Sequence, residues 1–283
     1  MRALKKIIRY MGSGLVILGI ALLGYMKIAN KNFNALALDV LTFVKNTKGN
    51  RVKFENMTPS RLDSLDHILW DRMLKKYVSS EGKVDYVGFQ SSVLELSEYL
   101  GHLSQNPPAA GWSKEDKLSY WINAYNAFTV QLILNHYPLK SIKDISNGLP
   151  MLNSPWDISF FKIGGVDFDL NTIEHEVLRK QFDEPRIHFA INCASISCPK
   201  LRNEAYLPSK LESQLDDQAQ YFIHNRQKNQ IDKSELKLSK IFNWFQSDFT
   251  KQGSLHSYLR NYAPAINDAQ KIDYLDYNWT LNN

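Results

Sequence analysis

The sequence has little cysteine and no internal repeat. Cys193 and Cys198 are its only cysteines among 283 residues, which excludes the disulfide-rich scaffolds of small secreted proteins. The lack of a repeated motif excludes a solenoid, and a content of 44% hydrophobic and 22% charged residues excludes a disordered or collagen-like chain. The composition is therefore that of a folded globular protein.

An excess of positive charge is also lacking outside the N-terminus. The first 31 residues carry six basic residues and no acidic residue, whereas the formal net charge of the whole chain is +5. The rest of the chain, with 28 basic and 29 acidic residues, has a net charge of −1. A basic nucleic-acid-binding surface would keep positive charge in the folded part, so we expect no nucleic-acid partner.

The N-terminal charges belong to a membrane-targeting pattern. Four basic residues precede an uncharged stretch from Tyr10 to Met26, and Lys27 ends that stretch. Its length is near the lower limit of about 17 residues for a transmembrane helix. The nearest small-x-small cleavage site, Ala35-Leu36-Ala37, lies far beyond the apolar stretch. The pattern predicts an uncleaved signal-anchor that contacts the membrane through residues 10–26.

This anchor determines the predicted domain organisation. Residues 1–27 form the basic flank and the membrane span, residues 28–57 form a tether, and residues 58–283 form a globular domain. The positive-inside rule places the N-terminus in the cytoplasm and the globular domain outside it, in the periplasm if the cell is bacterial. We therefore expect a single-pass membrane protein with an extracytoplasmic domain.

Hydrophobic periodicity predicts an α+β fold, with one mostly helical domain and a small β-sheet. The strongest pattern is a helix that begins after Ser113 and is apolar on nearly every face, which is typical of a central helix. Two β-rich pieces flank Gly164-Gly165 and indicate a hairpin. The other predicted elements are helices over Thr58–Val78, Val87–Leu103, Asn171–Phe182, Leu207–Arg226, Ile241–Gln246 and Leu255–Tyr262, strands over Arg186–Asn192 and Gln230–Leu238, and an extended C-terminal segment.

The densest group of reactive residue types lies between Arg186 and Cys198. Alternation along the predicted strand places His188 and Asn192 on one face and Cys193 on the opposite, apolar face. Cys198 follows a loop near His188, and a thiol beside an imidazole base is the minimum for a thiol nucleophile. The alternative is a disulfide between the two cysteines in an oxidising compartment, with His188 as a framework residue.

Glu174 is the third candidate catalytic residue. It lies near the start of a predicted helix, where the helix dipole stabilises an acidic side chain. If it is buried, it could orient the imidazole of His188, a role that Asn192 could also take. The segment HEVLR lacks the second histidine of a zinc-protease helix, and two cysteines alone lack the second pair of a zinc site. We therefore predict no metal site and no cofactor.

Polar side chains interrupt the predicted central helix. Asn123 and Asn126 lie three residues apart, beside Trp121. Because buried amides need hydrogen-bond partners, they either hold loops against the helix or form the floor of a polar pocket. In a pocket, Trp121, Asn123, Asn126 and Asn192 would be the ligand-binding residues, with His188 beside them.

Four motifs together resemble the domain of unknown function 547 family: WINAYNA, IEHEVLR, HFAINCASISCPKL and YLDYNWTLN. The resemblance implies a shared fold and brings no established reaction, substrate or cofactor. The order of a central helix and a β segment bearing His188 is also loosely similar to papain-like and transglutaminase-like enzymes. Those enzymes place the nucleophilic cysteine at the start of the central helix, where this sequence has SYWINAYNA and no cysteine.

Two functions follow from these patterns. The first is a membrane-anchored extracytoplasmic binding or scaffold module for a peptide or a cell-envelope ligand. The second is a thiol-dependent hydrolase or acyl transferase that uses Cys198 as nucleophile, His188 as base, and Glu174 or Asn192 to orient the base.

Overall fold

The computed structural model describes residues 54–145 and 154–283, which belong to one compact unit, Val52–Asn283. The predicted membrane span over residues 10–26 and most of the predicted tether lie outside the described residues. Among the described helices, none is long and apolar enough to cross a membrane. Phe54 and Met57, at the end of the predicted tether, pack against the apolar core of the domain.

Helices dominate the described part of the chain, and the strands are short. The α-helices are α1 (Ile68–Tyr77), α2 (Tyr86–Ser91), α3 (Val93–Gln105), α4 (Lys114–Leu134), α5 (Arg179–Gln181), α6 (Ile187–Ala190), α7 (Leu211–His224), α8 (Lys240–Trp244), α9 (Gln246–Phe249) and α10 (Leu255–Arg260). A π-helix spans Thr172–Leu178, and single 3₁₀ turns span Phe54–Asn56, Ile142–Asp144, Pro155–Asp157 and Pro208–Lys210. The strands are β1 (Phe161–Ile163), β2 (Val166–Phe168), β3 (Gln230–Ile231), β4 (Glu235–Leu238) and β5 (Lys271–Tyr274).

Helix α4 is the central element that its sequence predicts. The Ser113 hydroxyl caps its N-terminus by accepting a 3.0 Å hydrogen bond from the backbone N–H of Asp116. From Leu118 to Ile133, all residues but Gln131 are buried. A helix with so many buried residues has neighbours on nearly every side, and α4 packs against α2, α3 and the π-helix.

The strands form two separate small sheets. In the first, β1 and β2 pair antiparallel as a hairpin in which Ile163 lies opposite Val166. Gly164 and Gly165 both have positive φ, as a two-residue type I′ turn requires, so the hairpin prediction is confirmed. In the second sheet, β4 pairs antiparallel with β3 and parallel with β5, which belongs to the predicted extended C-terminal segment. These sheets and helices confirm the predicted mixed α+β class.

Three sequence predictions for regular elements are wrong in detail. The helix predicted from Thr58 begins only at Ile68, because residues 58–62 are held against other segments: the Thr58 N–H donates to the Gly164 carbonyl and the Trp112 indole donates to the Leu62 carbonyl. The helix predicted over residues 171–182 is a π-helix followed by the short α5. The helix predicted over residues 87–103 is divided near Ser92 into α2 and α3.

The predicted strand Arg186–Asn192 is a helical turn. Helix α6 spans Ile187–Ala190, and the Ile191 N–H closes it with a 3.0 Å hydrogen bond to the Ile187 carbonyl. Successive side chains in a helix are rotated by about 100° around its axis. The predicted alternation of side chains between two faces is therefore also wrong for this segment.

Helix α6 lies between two apolar cores. Ile187 and Ala190 belong to the larger core around α4. Phe189 belongs to the second core, which packs α7, β4 and helices α8 to α10 together. The chain that leaves α6 therefore starts from a fixed position between the two cores.

The contact of Asn126 with this region generates the first testable prediction. Its side-chain amide donates to the Ala190 carbonyl at 3.0 Å and its oxygen accepts the Asn192 N–H at 2.8 Å. Asn126→Ala leaves both buried backbone groups without these partners, so we expect the free energy of unfolding to fall by about 2–4 kcal/mol. Urea unfolding measures this loss, and the same change at exposed Asn135 on the end of α4 should cost less than about 0.5 kcal/mol. Equal losses in the two variants would contradict the role of Asn126.

Candidate active site

The two cysteines lie at the ends of a loop that follows α6, which we call the thiol loop (residues 193–198). Asn192 fixes its first half. The side-chain oxygen of Asn192 accepts the Ala194 N–H at 2.8 Å, and its amide donates to the Pro199 carbonyl at 2.7 Å. Ala194 has a φ of 58°, a left-handed conformation that costs energy for a residue with a Cβ. The bond from Asn192 stabilises that conformation.

The C-terminal segment fixes the second half of the thiol loop. The Ile196 N–H donates to the Thr280 carbonyl at 2.8 Å, and the Ser197 N–H donates to the Asn278 carbonyl at 3.2 Å. Asn282 connects the two halves, since its amide donates to the Asn192 side chain at 3.3 Å. The loop is therefore held by side chains and backbone from outside it.

The thiol loop brings the two sulfurs together. The Sγ atoms of Cys193 and Cys198 lie 2.6 Å apart, within about 0.6 Å of a disulfide bond length. Cys193 is partly exposed, whereas Cys198 is buried, with 3% of its surface accessible. The pair can therefore close to a disulfide with a small shift, and only one of its sulfurs can be reached from solvent.

Polar groups around Cys193 favour its thiolate. Burial opposes its ionisation, but contacts with the Cys198 thiol and with the hydroxyls of Ser195 (3.4 Å) and Tyr277 (3.3 Å) lower the pKa of Cys193 to about 7. Burial and the neighbouring Cys193 raise the pKa of Cys198 well above its usual value. Of the two thiols, Cys193 is therefore the more accessible and the one whose pKa is lowered.

Lys228 adds positive charge beneath the thiol loop. Its Nζ donates to the carbonyl oxygens of Cys198 and Ile196, the second at 3.0 Å. Burial lowers the pKa of Lys228, while the nearby thiols favour its charged form. The ammonium thus both closes the loop and contributes to the low pKa of Cys193.

Glu174 belongs to the π-helix and is buried in the domain. The Tyr125 hydroxyl from α4 donates to its carboxylate at 3.3 Å. Burial raises the pKa of Glu174 to about 7, and the charge of Arg179 counteracts this increase. Cys193 is close enough to influence this pKa electrostatically. The Glu174 carboxylate is thus bonded to Tyr125. That Glu174 orients His188 stays a prediction.

His188 belongs to a buried ionic network. Its Nε2 lies 2.8 Å from Asp248, whose carboxylate also accepts the Arg179 guanidinium at 2.6 Å, and its ring stacks on Phe245 at 4.0 Å. Burial lowers the pKa of His188. In the described contacts, His188 bonds to Asp248 and Cys198 lies against Cys193. None of these contacts joins Cys198 to His188, so their predicted pairing stays a prediction.

The predicted ligand-binding residues are buried in the domain. Trp121 is 4% exposed and stacks on Phe168, with ring centres 5.7 Å apart. Asn123 exchanges two hydrogen bonds with the backbone of Tyr206, and Asn126 and Asn192 use their amides as given above. Asn123 and Asn126 therefore hold loops against α4, which was one of the two roles expected of them, and Asn192 holds the thiol loop. A role of these residues in ligand binding stays a prediction.

A group of aromatic side chains beside Cys193 did not enter the predicted site. We call it the aromatic cluster (Trp156, Trp244, Tyr277 and Trp279). All four side chains are partly exposed. The Tyr277 ring lies 4.4 Å from Trp279 and 4.8 Å from Trp244, and Trp156 lies 5.6 Å from Trp279. The alternating Tyr-x-Trp of the extended C-terminal segment is the sequence signal that could have placed Tyr277 and Trp279 on one face.

Comparison with known proteins identifies the domain. Residues 109–223 match the family model described as "Protein of unknown function, DUF547", which confirms the resemblance of this part of the chain to the domain of unknown function 547 family. The match includes the thiol loop and ends before the C-terminal motif YLDYNWTLN. No curated protein and no solved structure matches the chain. Among the described residues, no group of three or more histidine, cysteine or acidic side chains could hold a metal ion.

The buried carboxyl of Glu174 generates a prediction about pH. Its pKa is about 7 in the folded state and 4.5 ordinarily, so between these values the folded protein keeps a proton that the unfolded chain releases. The stabilisation is complete below pH 4.5 and is lost as the pH rises through 7. Relative to Glu174→Gln, the wild-type free energy of unfolding should fall by about 3 kcal/mol between pH 4.5 and about pH 8.

Urea unfolding of both proteins at the two pH values measures this difference. Glu176→Gln is the matched control, because that carboxylate is only partly buried and pairs with Lys180 at 2.6 Å on the helix surface. Its difference from wild type should change by less than about 0.5 kcal/mol. A pH-independent difference for Glu174→Gln would show that the carboxyl holds no extra proton.

Proposed function

We propose that this domain catalyses thiol–disulfide exchange outside the cytoplasm, with Cys193 as the attacking thiol and Cys198 as the resolving thiol. The observation that carries the proposal is the pairing of two sulfurs 2.6 Å apart, of which one is partly exposed and the other buried. An accessible thiol of low pKa beside a buried thiol of high pKa is the arrangement that two-step exchange requires.

The exchange balances in atoms and electrons. The Cys193 thiolate attacks a substrate disulfide, forms a mixed disulfide and expels one substrate thiolate. The Cys198 thiol then gives its proton to a departing thiolate and attacks the Cys193 sulfur. This step forms the Cys193–Cys198 disulfide and releases the second substrate thiol. Starting from the Cys193 thiolate, the pair loses two electrons and the one Cys198 proton, and the substrate disulfide gains them and leaves as one thiolate and one thiol; the reverse sequence oxidises a substrate dithiol.

This proposal modifies both functions drawn from the sequence. A hydrolase with Cys198 as nucleophile needs an accessible Cys198 sulfur with a base beside it, whereas that sulfur is buried against Cys193. The binding or scaffold role for a peptide or envelope ligand becomes substrate binding next to Cys193. The alternative of a static disulfide predicts a pair that stays oxidised, and the tests below distinguish it from an exchanging pair.

The proposed location follows from the N-terminal sequence. Residues 10–26 anchor the chain in the membrane, and the charge bias keeps residues 1–9 in the cytoplasm. The domain then faces an oxidising compartment, where disulfide substrates occur.

The different reactivities of the two thiols are tested with dithiobis(nitrobenzoate), a small coloured disulfide. The reduced wild type should release two thionitrobenzoate ions per chain and end as an internal disulfide, since it has two cysteines. Cys198→Ser should release one ion and keep a mixed disulfide at Cys193. Cys193→Ser should react at least about tenfold more slowly, because its remaining thiol is buried.

The pH profile and the resting state complete this test. The rate for the wild type should rise with a midpoint near pH 7, as the Cys193 thiolate forms. Peptide masses after acid quenching and alkylation give the redox state of each cysteine. A native pair that dithiothreitol does not reduce, or equal rates for wild type and Cys193→Ser, would rule out exchange and favour a static disulfide or inert thiols.

The proposed topology can be tested with the native cysteines. In spheroplasts of a bacterial host treated with reductant, a membrane-impermeant maleimide should label Cys193 before lysis. Deletion of residues 10–26 should move the chain from the carbonate-resistant membrane fraction to the soluble fraction. Labelling only after lysis would place the domain in the cytoplasm, and a deletion variant that stays in the membrane fraction would contradict the anchor.

A further inference from the structure

The aromatic cluster is connected to the reactive thiol by a direct contact. The Tyr277 hydroxyl lies 3.3 Å from the Cys193 sulfur, and the Tyr277 ring packs against Trp244 and Trp279. A molecule that reaches the Cys193 sulfur therefore meets the aromatic cluster next to it.

The cluster has the features of a binding surface. Its side chains come from three separate segments: the 3₁₀ turn Pro155–Asp157, helix α8 and the C-terminal segment. All four are partly exposed, so part of their apolar surface is available to a ligand. Tyrosine and tryptophan supply large contact areas at low conformational-entropy cost, which is why they dominate binding hot spots.

Two more side chains define the chemistry around this cluster. Ile196 in the thiol loop is 47% exposed, a high fraction for a large apolar side chain. Lys143 is exposed, and its ammonium lies 3.9 Å from the centre of the Trp279 ring. A ligand on the aromatic cluster therefore meets apolar surface near Cys193 and a positive charge at the Trp279 ring.

The dimensions of the cluster indicate the size of its ligand. The path from Tyr277 to Trp279 and on to Trp156 has steps of 4.4 and 5.6 Å between ring centres. Each step is longer than the roughly 3.3 Å that one extended residue spans. A ligand that covers all three rings is therefore larger than a single cysteine derivative, as an extended polypeptide of a few residues is.

We propose that the aromatic cluster is the substrate-docking surface of the thiol pair. Its substrate is an extended polypeptide whose disulfide-bonded cysteine is flanked by an aromatic or large apolar side chain, with an acidic residue favoured beyond it. This inference rests on the exchange activity proposed above. The aromatic flank packs on Trp279 and Tyr277, and the acidic residue pairs with Lys143.

The test uses mixed disulfides of thionitrobenzoate with three thiols: the peptides acetyl-Asp-Phe-Ala-Cys-amide and acetyl-Ser-Ser-Ala-Cys-amide, and mercaptoethanol. Release of the coloured ion gives second-order rate constants for the detergent-solubilised full chain. Wild type should react about tenfold faster with the Asp-Phe peptide than with the Ser-Ser peptide. Trp279→Ala should abolish this preference, so that its rate constants for the two peptides differ by less than about twofold. Trp279→Phe, which keeps an aromatic ring, should restore most of the preference.

Tyr221→Ala is the matched control. Tyr221 is a partly exposed aromatic residue on α7 that also carries a lysine over its ring, Lys200 at 3.8 Å. This variant should keep the peptide preference of wild type. Since both variants lose an aromatic ring under a lysine, a difference between them reflects position next to the thiol pair.

The outcomes separate the two proposals. A wild type without peptide preference, or a Trp279→Ala variant that slows all three probes equally, overturns the docking surface while leaving exchange intact. Faster reaction with mercaptoethanol than with either peptide also overturns it and indicates a small-molecule substrate. A wild type that reacts with none of the probes through Cys193 means that the exchange activity itself is absent.

Discussion

The architecture around the thiol pair depends on amide side chains that are buried in an apolar helix. Helix α4 places Asn123 and Asn126 where water cannot reach them, at 0% and 2% exposure. A buried amide must find protein partners or cost stability, so the backbone at Tyr206 and at Ala190–Asn192 is held against the helix. The thiol loop begins directly after the second of these attachments. Its position is therefore determined by α4, although no residue of α4 contacts a sulfur in the hydrogen bonds described.

The attachment also explains how one loop gives its two thiols different properties. Asn126 holds Asn192, and Asn192 supports the left-handed conformation of Ala194. The backbone reverses there, so that the loop returns with Cys198 beneath Cys193. Burial raises the pKa of both thiols, but at Cys193 the contacts with the Cys198 thiol, Ser195 and Tyr277 outweigh it, whereas the pKa of Cys198 stays raised. The geometry of the loop thus gives the two sulfurs different surroundings.

Periodicity and caps allowed the sequence to predict the elements that local interactions determine. The Ser113 cap, the apolar α4 and the Gly164-Gly165 hairpin need only neighbours in the chain. The segment 186–192 could not be assigned in this way, because four apolar residues among seven fit a buried strand as well as a buried helical turn. Tertiary contacts favour the helical turn. The side chains of Asn126 and Gln218 donate hydrogen bonds to its carbonyl groups, and no strand pairs with it among the described residues.

The same ambiguity affected the expected accessibility of the two thiols. Strand alternation turned Cys193 toward the core and left Cys198 as the accessible thiol, whereas the helical turn and the reversal at Ala194 exchange these positions. The aromatic cluster was harder to predict, since its members are separated by up to 123 positions, from Trp156 to Trp279. The C-terminal segment connects the cluster to the thiol loop: it carries Tyr277 and Trp279 and, through Asn278, Thr280 and Asn282, holds the thiol loop. One continuous stretch of backbone therefore both builds the aromatic surface beside Cys193 and holds the thiol loop in place.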